Sequence, residues 1–260
     1  MGNSTVLDDI QPFVQETLTL WNVPGAAIAV VQGDKVLLCE GFGRRNMANN
    51  MPVTAETIFP IASCTKAFTA MSIALLVDEG RLDWDTPIKE YLPNFQLADP
   101  VATSLTNARD LLAHRTGLPR HDLLWYASHF TREEIFDRLY YLEPSRTFRS
   151  TWQYQNMMYM VAGLLVTHIT EMSWEHYVQT QIFDRLGMRL SNLSTVQTQQ
   201  TANFATPYQA HDEQIHEIPF FEQDGEHDAV GPAGSINSCV QDMAEWLKVH
   251  LNNGHAHGKP

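Results

Sequence analysis

Apolar positions along the chain fall into distinct patterns, and their order suggests an architecture. Residues 8–20 set Ile10, Phe13, Val14, Leu18 and Leu20 on one side of a helix, the spacing of an amphipathic surface helix. Pro24-Gly25 breaks it, and two strand-like stretches follow, Ala26 to Val31 and Lys35 to Glu40. Gln32-Gly33-Asp34 joins them, a link so short that it predicts an antiparallel hairpin. Over about 64–79, Phe68, Met71, Ile73, Ala74, Leu75 and Val77 make a segment apolar nearly all round. That predicts a buried helix closed by Gly80.

From there to about residue 186 the chain reads as mainly helical. Asn107–His114 forms one helix, stopped near Gly117 and Pro119, and Thr131 with Glu134 forms a capping box at the start of another. Residues 157–170 and 173–186 are two more, the second opening on a Ser173 cap. Residues 191–228 are polar and aperiodic, which predicts surface loops with short strands. A last helix covers about 240–251, after a Gly231-Pro232-Ala233-Gly234 turn. A two-stranded sheet is marginal alone, so further strands are expected beside the hairpin. The expected class is α/β (α+β): an antiparallel sheet flanked by helices, in one domain over 1–260, with a helical subdomain at about 81–190.

The chemistry concentrates where the buried helix begins, at Ile61-Ala62-Ser63-Cys64-Thr65-Lys66. Residues three apart on a helix share a face, so the Lys66 amine is expected beside the Ser63 hydroxyl. A serine hydroxyl is a weak nucleophile until a base takes its proton, and Ser-x-x-Lys is one way to supply that base. Random placement of the chain's serines and lysines would give about 0.2 such matches, so context must decide. Pro60 disfavours helix at Phe59 and sets an extended approach. Lysine is rarely buried without a partner, so its place on a buried helix points to function.

The net charge of −13 argues against nucleic acid and anionic membrane as partners. No apolar run is long enough to span a bilayer. The N-terminus lacks the pattern of a secretory signal, and Met1-Gly2 misses a myristoylation match at Val6. A cytoplasmic protein is expected, or a periplasmic or secreted one if a signal was removed. Cys39, Cys64 and Cys239 form neither a disulfide framework nor a zinc spacing, and Cys64 is expected to be a small buried hydrophobe. His211, His216, His227, His250, His255 and His257 lack cysteine or carboxylate partners in register, so they are expected to be solvated and no metal is implied. No Gly-rich phosphate loop is present, so no nucleotide is implied and no cofactor is expected. The Trp125-Tyr126 and Tyr140-Tyr141 pairs are expected in the core or a cleft wall.

A second motif lies at Tyr154-Gln155-Asn156, where Tyr154 and Asn156 alternate around Gln155 just ahead of a helix and can enter one cleft. A neighbouring lysine cation would favour the Tyr154 phenolate and bring it within reach of base duty. With Ser63-x-x-Lys66, this combination resembles the serine beta-lactamase and penicillin-binding protein superfamily, above all its class C branch, whose second motif is Tyr-x-Asn. The segments Asp78–Ile88 with Tyr91-Leu92-Pro93, Arg109–Leu118, Ile182–Met188 and Gly231–Ser235 are also similar to landmarks of these proteins. The likeness is nearest to the CubicO-type serine peptidases and esterases.

The resemblance implies a beta-lactamase/transpeptidase-like fold and a hydrolase acting through an acyl-enzyme on small molecules or short peptides. It implies Ser63 as nucleophile, Lys66 and Tyr154 sharing the proton, and Asn156 orienting Lys66 and holding the substrate amide. Ser235-Ile236-Asn237 and Arg115-Thr116-Gly117 imitate family motifs but fall at the wrong places in the order. The family's third motif, Lys-Thr-Gly or His-x-Gly, has no match after the Pro-Ala-Gly turn, so the chain is expected to be truncated at its C-terminus. The alternative is a non-catalytic fragment acting as a binding scaffold.

Overall fold

A computed structural model describes residues 7, 9–126, 128–212, 214–220 and 228–256. In chain order its main elements are α1 (Ile10–Leu20), β1 (Gly25–Gln32), β2 (Lys35–Asn46), β3 (Met51–Pro52), α2 (Thr65–Asp78), α3 (Asn156–Thr170) and α4 (Val240–Leu251). The chain divides into two compact units, one formed by residues 1–60, 183–222 and 237–260, the other by 61–182 and 223–236.

In the first unit β1 and β2 form the expected hairpin, paired from Gly25 opposite Gly43 to Gln32 opposite Lys35. Gly33, at φ +57°, takes the left-handed conformation that the two-residue loop requires. β2 runs further than expected and bends past a third strand, β3, so the order is β1-β2-β3 and antiparallel throughout. Val14 and Leu18 of α1 close over Phe42, with Ile10, Ala26 and Ile28 around them; α4 packs on β1. The sheet is thus supported mainly by helices, with only a two-residue third strand. Phe59–Pro60 pairs with Asn237–Ser238, and Tyr208–His211 with Gln214–Glu217, as separate two-stranded pieces. The polar stretch after 191 also holds a short helix, Thr195–Gln199, capped by Ser194. The Ser-x-x-Gln pattern there was a legible start signal.

In the second unit α3 is the central element. Met157, Met158, Met160, Val161, Leu165 and Val166 are buried along it, each stabilising the fold by roughly 1.5–3 kcal/mol. It packs on α2 and on a short helix, Gly231–Gly234, where a turn was expected. At Gly163 a Cβ would lie 2.3 Å from Cγ of Pro232, so only glycine admits this approach. The caps follow the sequence: Asn107 and Asp110 form one capping box, Thr131 and Glu134 another, and Ser173 caps Trp174–Val178. Half-buried Arg132 bridges to Glu175 and donates to the carbonyls of Asp228 and Ala229, tying that segment down.

α2 departs from expectation on one side. Phe68, Thr69, Ser72, Ile73 and Leu76 are buried, but Ala67 is exposed and Met71, Ala74 and Leu75 are half-buried. Cys64, expected as a buried hydrophobe, is exposed, because it lies in the turn before α2. Tyr126, Tyr140 and Tyr141 are exposed as well, Tyr141 at 67%, so they are not core.

Candidate active site

Ser63 lies in a 3-10 turn, Ala62–Cys64, that feeds α2 at Thr65. A 3-10 turn has three residues per turn and stacks residues i and i+3 in line. Lys66, in the first turn of α2, shares the face of Ser63 at the i, i+3 spacing, and its Nζ donates to Ser63 Oγ at 3.1 Å. Ala62, just before the serine, has φ +46°, a left-handed conformation that costs a residue with a side chain of the order of 1–3 kcal/mol.

The turn is anchored from below. Thr65 Oγ1 accepts from the Ile236 amide at 3.1 Å, and Thr69 Oγ1 donates to the Pro232 carbonyl at 2.7 Å. The same short helix turns the Ala233 carbonyl toward Lys66, which donates to it at 2.8 Å. The third Lys66 bond goes to Asn156 Oδ1, at 2.8 Å. An ammonium has three donors, and all three are thus spent on neutral acceptors. With Lys66 only 7% exposed, burial pushes its pKa below the ordinary lysine value, against the opposing pull of Tyr154. The lysine cation that sequence reasoning set beside Tyr154 is thus disfavoured by burial and favoured by Tyr154 itself.

Tyr154 and Asn156 arrive together because Gln155, between them, is the cap of α3. Its side chain is fully buried and accepts from the Met157 amide at 3.0 Å. Asn156 then opens the helix facing Lys66, and Tyr154, on the extended side, reaches Ser63 Oγ with its hydroxyl at 2.6 Å. The Lys66 nitrogen also lies 4.7 Å from the centre of the Tyr154 ring.

His114, part of a landmark segment but given no role from sequence, is the platform behind Tyr154. Its ring centre is 4.6 Å from that of Tyr154 and 5.2 Å from that of Tyr159. Its Nδ1 accepts from the Gln155 amide at 3.1 Å, which fixes the tautomer. Burial and the nearby Lys66 lower its pKa to about 4, so it is neutral at pH 7. Burial raises Tyr159 to about 12, and its hydroxyl donates to the Leu112 carbonyl. The four residues singled out from sequence, Ser63, Lys66, Tyr154 and Asn156, therefore meet in one cluster. Ser235, of the rejected Ser-x-Asn match, is buried, its hydroxyl donating to the Gly231 carbonyl. Among the described residues no group of three metal-ligating side chains assembles, and no helix is long and apolar enough to cross a membrane. Met1, Gly2, His227 and His257 lie outside the described residues.

A family model described as beta-lactamase matches residues 12–260. The unguisins hydrolase ungD of Aspergillus violaceofuscus (strain CBS 115571) is 33% identical, over 96% of this chain and 46% of its own length. The octameric penicillin-binding protein homologue from Pyrococcus abyssi superposes with a TM-score of 0.81 at 26% identity, over 96% of this chain and 57% of that one. The D-amino acid amidase from Ochrobactrum anthropi SV3, in complex with L-phenylalanine amide, gives a TM-score of 0.76 at 25% identity, over 96% and 71%. The chain spans about half the length of the curated relatives it matches.

Proposed function

The chain belongs to the beta-lactamase family and has its fold, and on that premise we propose that it is a serine hydrolase acting through an acyl-enzyme on amide or ester carbonyls. The observation that carries this reading is the placement of Ser63 Oγ, 3.1 Å from Lys66 Nζ and 2.6 Å from the Tyr154 hydroxyl. As Oγ bonds to the carbonyl carbon its proton must leave. Lys66 takes it in its unprotonated form, toward which burial shifts the group, and the Tyr154 hydroxyl relays a proton to the departing nitrogen or oxygen. In deacylation a water is the nucleophile and the proton returns along the same groups to Ser63. The Ser63 amide is one oxyanion donor. Asn156 holds Lys66 through Oδ1 and offers an Nδ2 hydrogen to the substrate's amide carbonyl.

The substrates are small molecules or short peptides: peptides with D-residues, carboxylic esters or beta-lactams, since one acyl-transfer site serves all three. We place peptides and esters first, because residues 78–93 and 109–118 resemble the CubicO-type proteins. A relative named as a hydrolase and a structural neighbour named as an amidase support amide chemistry.

The test is covalent labelling with a fluorophosphonate probe, the adduct located by peptide mass spectrometry. An adduct on Ser63, lost in Ser63→Ala with unchanged circular dichroism, is the expected result. An adduct on another serine would overturn the Ser63 assignment, and no adduct would overturn the reading and favour a non-catalytic binding scaffold.

A further inference from the structure

The Asn156 amide has two ends, and only one of them belongs to Lys66. With Oδ1 accepting from Lys66, Nδ2 faces Asp122, 3.5 Å from its Oδ1. Asp122 is itself fixed: Arg120 Nε donates to Oδ2 at 2.6 Å and Trp125 Nε1 to Oδ1 at 3.1 Å. The Arg120 guanidinium carbon lies 5.1 Å from the centre of the Tyr154 ring. Turning the Asn156 amide over would set its NH2 against the Lys66 ammonium, which donates three hydrogen bonds here and has no acceptor, and its oxygen against the Asp122 carboxylate. Donor would meet donor and acceptor would meet acceptor, so the wrong orientation is opposed at both ends.

We propose that Asp122 is a positioning residue for the Ser63–Lys66 pair, locking the Asn156 amide with its oxygen toward Lys66, and that the Arg120–Asp122 ion pair sets the charge Lys66 meets across that amide. The geometry stands by itself; the effect on rate rests on the serine-hydrolase reading. The groups that face Lys66 are Ser63, Tyr154, Asn156 and Tyr159, the Ala233 carbonyl, His114 behind the tyrosines, and the Arg120–Asp122 pair. His114 is neutral above about pH 4 and Tyr159 neutral below about pH 12. Asp122 and Arg120 supply opposite full charges: the carboxylate favours the ammonium and the guanidinium opposes it. Asp122 has three donors around it, and a neutral amide in its place could satisfy them only in part.

The lock and a mere packing role differ in what two variants do to Lys66. The readout is the titration midpoint of Lys66, followed by NMR of the lysine 13Cε signals in the intact chain and assigned with Lys66→Met. Asp122→Asn should lower that midpoint and Arg120→Gln should raise it, each by roughly half to one pH unit. Folded Asp122→Asn should also take the fluorophosphonate at Ser63 about tenfold more slowly, the loss of one charge-assisted contact, with partial recovery in Asp122→Glu. Midpoints that stay put, or move the same way in both variants, would overturn the proposal. So would unchanged labelling of a folded Asp122→Asn. If Asp122→Asn does not fold, Arg120→Gln decides, since that side chain is 58% exposed and substitutions at exposed positions usually change stability little: the midpoint must still rise. If the unmodified chain takes no label, the serine-hydrolase reading falls, while the midpoints still judge the lock.

Discussion

Asp110 and Lys66 are both withdrawn from solvent in the same compact unit, but their surroundings are opposite. The Asp110 side chain is 0% exposed and sits among cations: Arg115 Nε donates at 2.7 Å, and Arg149 donates through Nε at 2.9 Å and Nη2 at 2.7 Å. The Asn107 amide adds a fourth bond. Burial raises its pKa, but these partners outweigh burial and hold the carboxyl below its ordinary range. Lys66 has hydroxyl, amide and carbonyl acceptors and no carboxylate among its three hydrogen bonds. A buried ion whose charge is matched is a structural joint. A buried ion that is hydrogen-bonded but unmatched in charge is poised to lose its proton, which is what a general base needs.

The largest expected effect comes from breaking the unmatched site. Lys66→Met should slow fluorophosphonate labelling of Ser63 about 10³-fold or more, while thermal melting stays nearly level, because the cost of burying an unpaired charge goes with the charge and offsets the lost hydrogen bonds. A Lys66→Met protein that melted far lower would make Lys66 a structural joint like Asp110. Adding Tyr154→Phe to Lys66→Ala should cost little beyond the worse single variant, because groups that act as a unit are non-additive. Losses that multiply would separate Tyr154 from the proton path.

At the matched site the roles reverse. Asp110→Ala should lower stability by about 3 kcal/mol, the low end for breaking a buried pair because both arginines reach solvent. The folded fraction should still label at nearly the unmodified rate. Denaturant midpoints paired with labelling would check both halves.

His114 is a third buried titratable group, and its answer is to remain neutral. Its folded pKa, about 4, lies below the ordinary histidine value of 6.5, so the unfolded chain binds more protons between these values. The stability from the neutral ring is therefore complete above about pH 6.5 and is lost as pH falls through about 4, some 3 kcal/mol in all. His114→Asn, which suits the left-handed φ of +56° at this position, should flatten that dependence in unfolding midpoints taken from pH 7 to pH 4. The smallest effect is expected where an ion pair is not buried. Arg109 and Asp85 pair at 2.9 Å but are 50% and 69% exposed, so Arg109→Gln should cost less than about 1 kcal/mol, and less still in high salt.

Much of the framework was legible because its signals are local. Thr131 and Ser173 cap the helices they were expected to cap, and Gly33 turns the hairpin. Burial on α2 was legible only in part, since hydropathy says a helix can be covered all round, not that neighbours are present to cover it. The burial expected of Cys64 was missed for the same reason. Asp122 and Arg120 carried no pattern at all: an acid next to a base in a loop reads as a solvated pair until Asn156 is brought against it.

The sequence by itself determined that Ser63 and Lys66 would meet, because three residues of helical turn settle that distance whatever surrounds them. It also determined that Tyr154 and Asn156 would flank a helix start. Only the tertiary structure brought in the distant segments whose packing lowers the pKa of Lys66. Its acceptors Asn156 and Ala233 lie 90 and 167 residues away along the chain, and the Tyr154 hydroxyl on Ser63 comes from 91 residues away. Proximity along a helix is a matter of backbone geometry and repeats with it. Desolvation and charge balance are sums over every segment packed around a group, and no local pattern contains that sum.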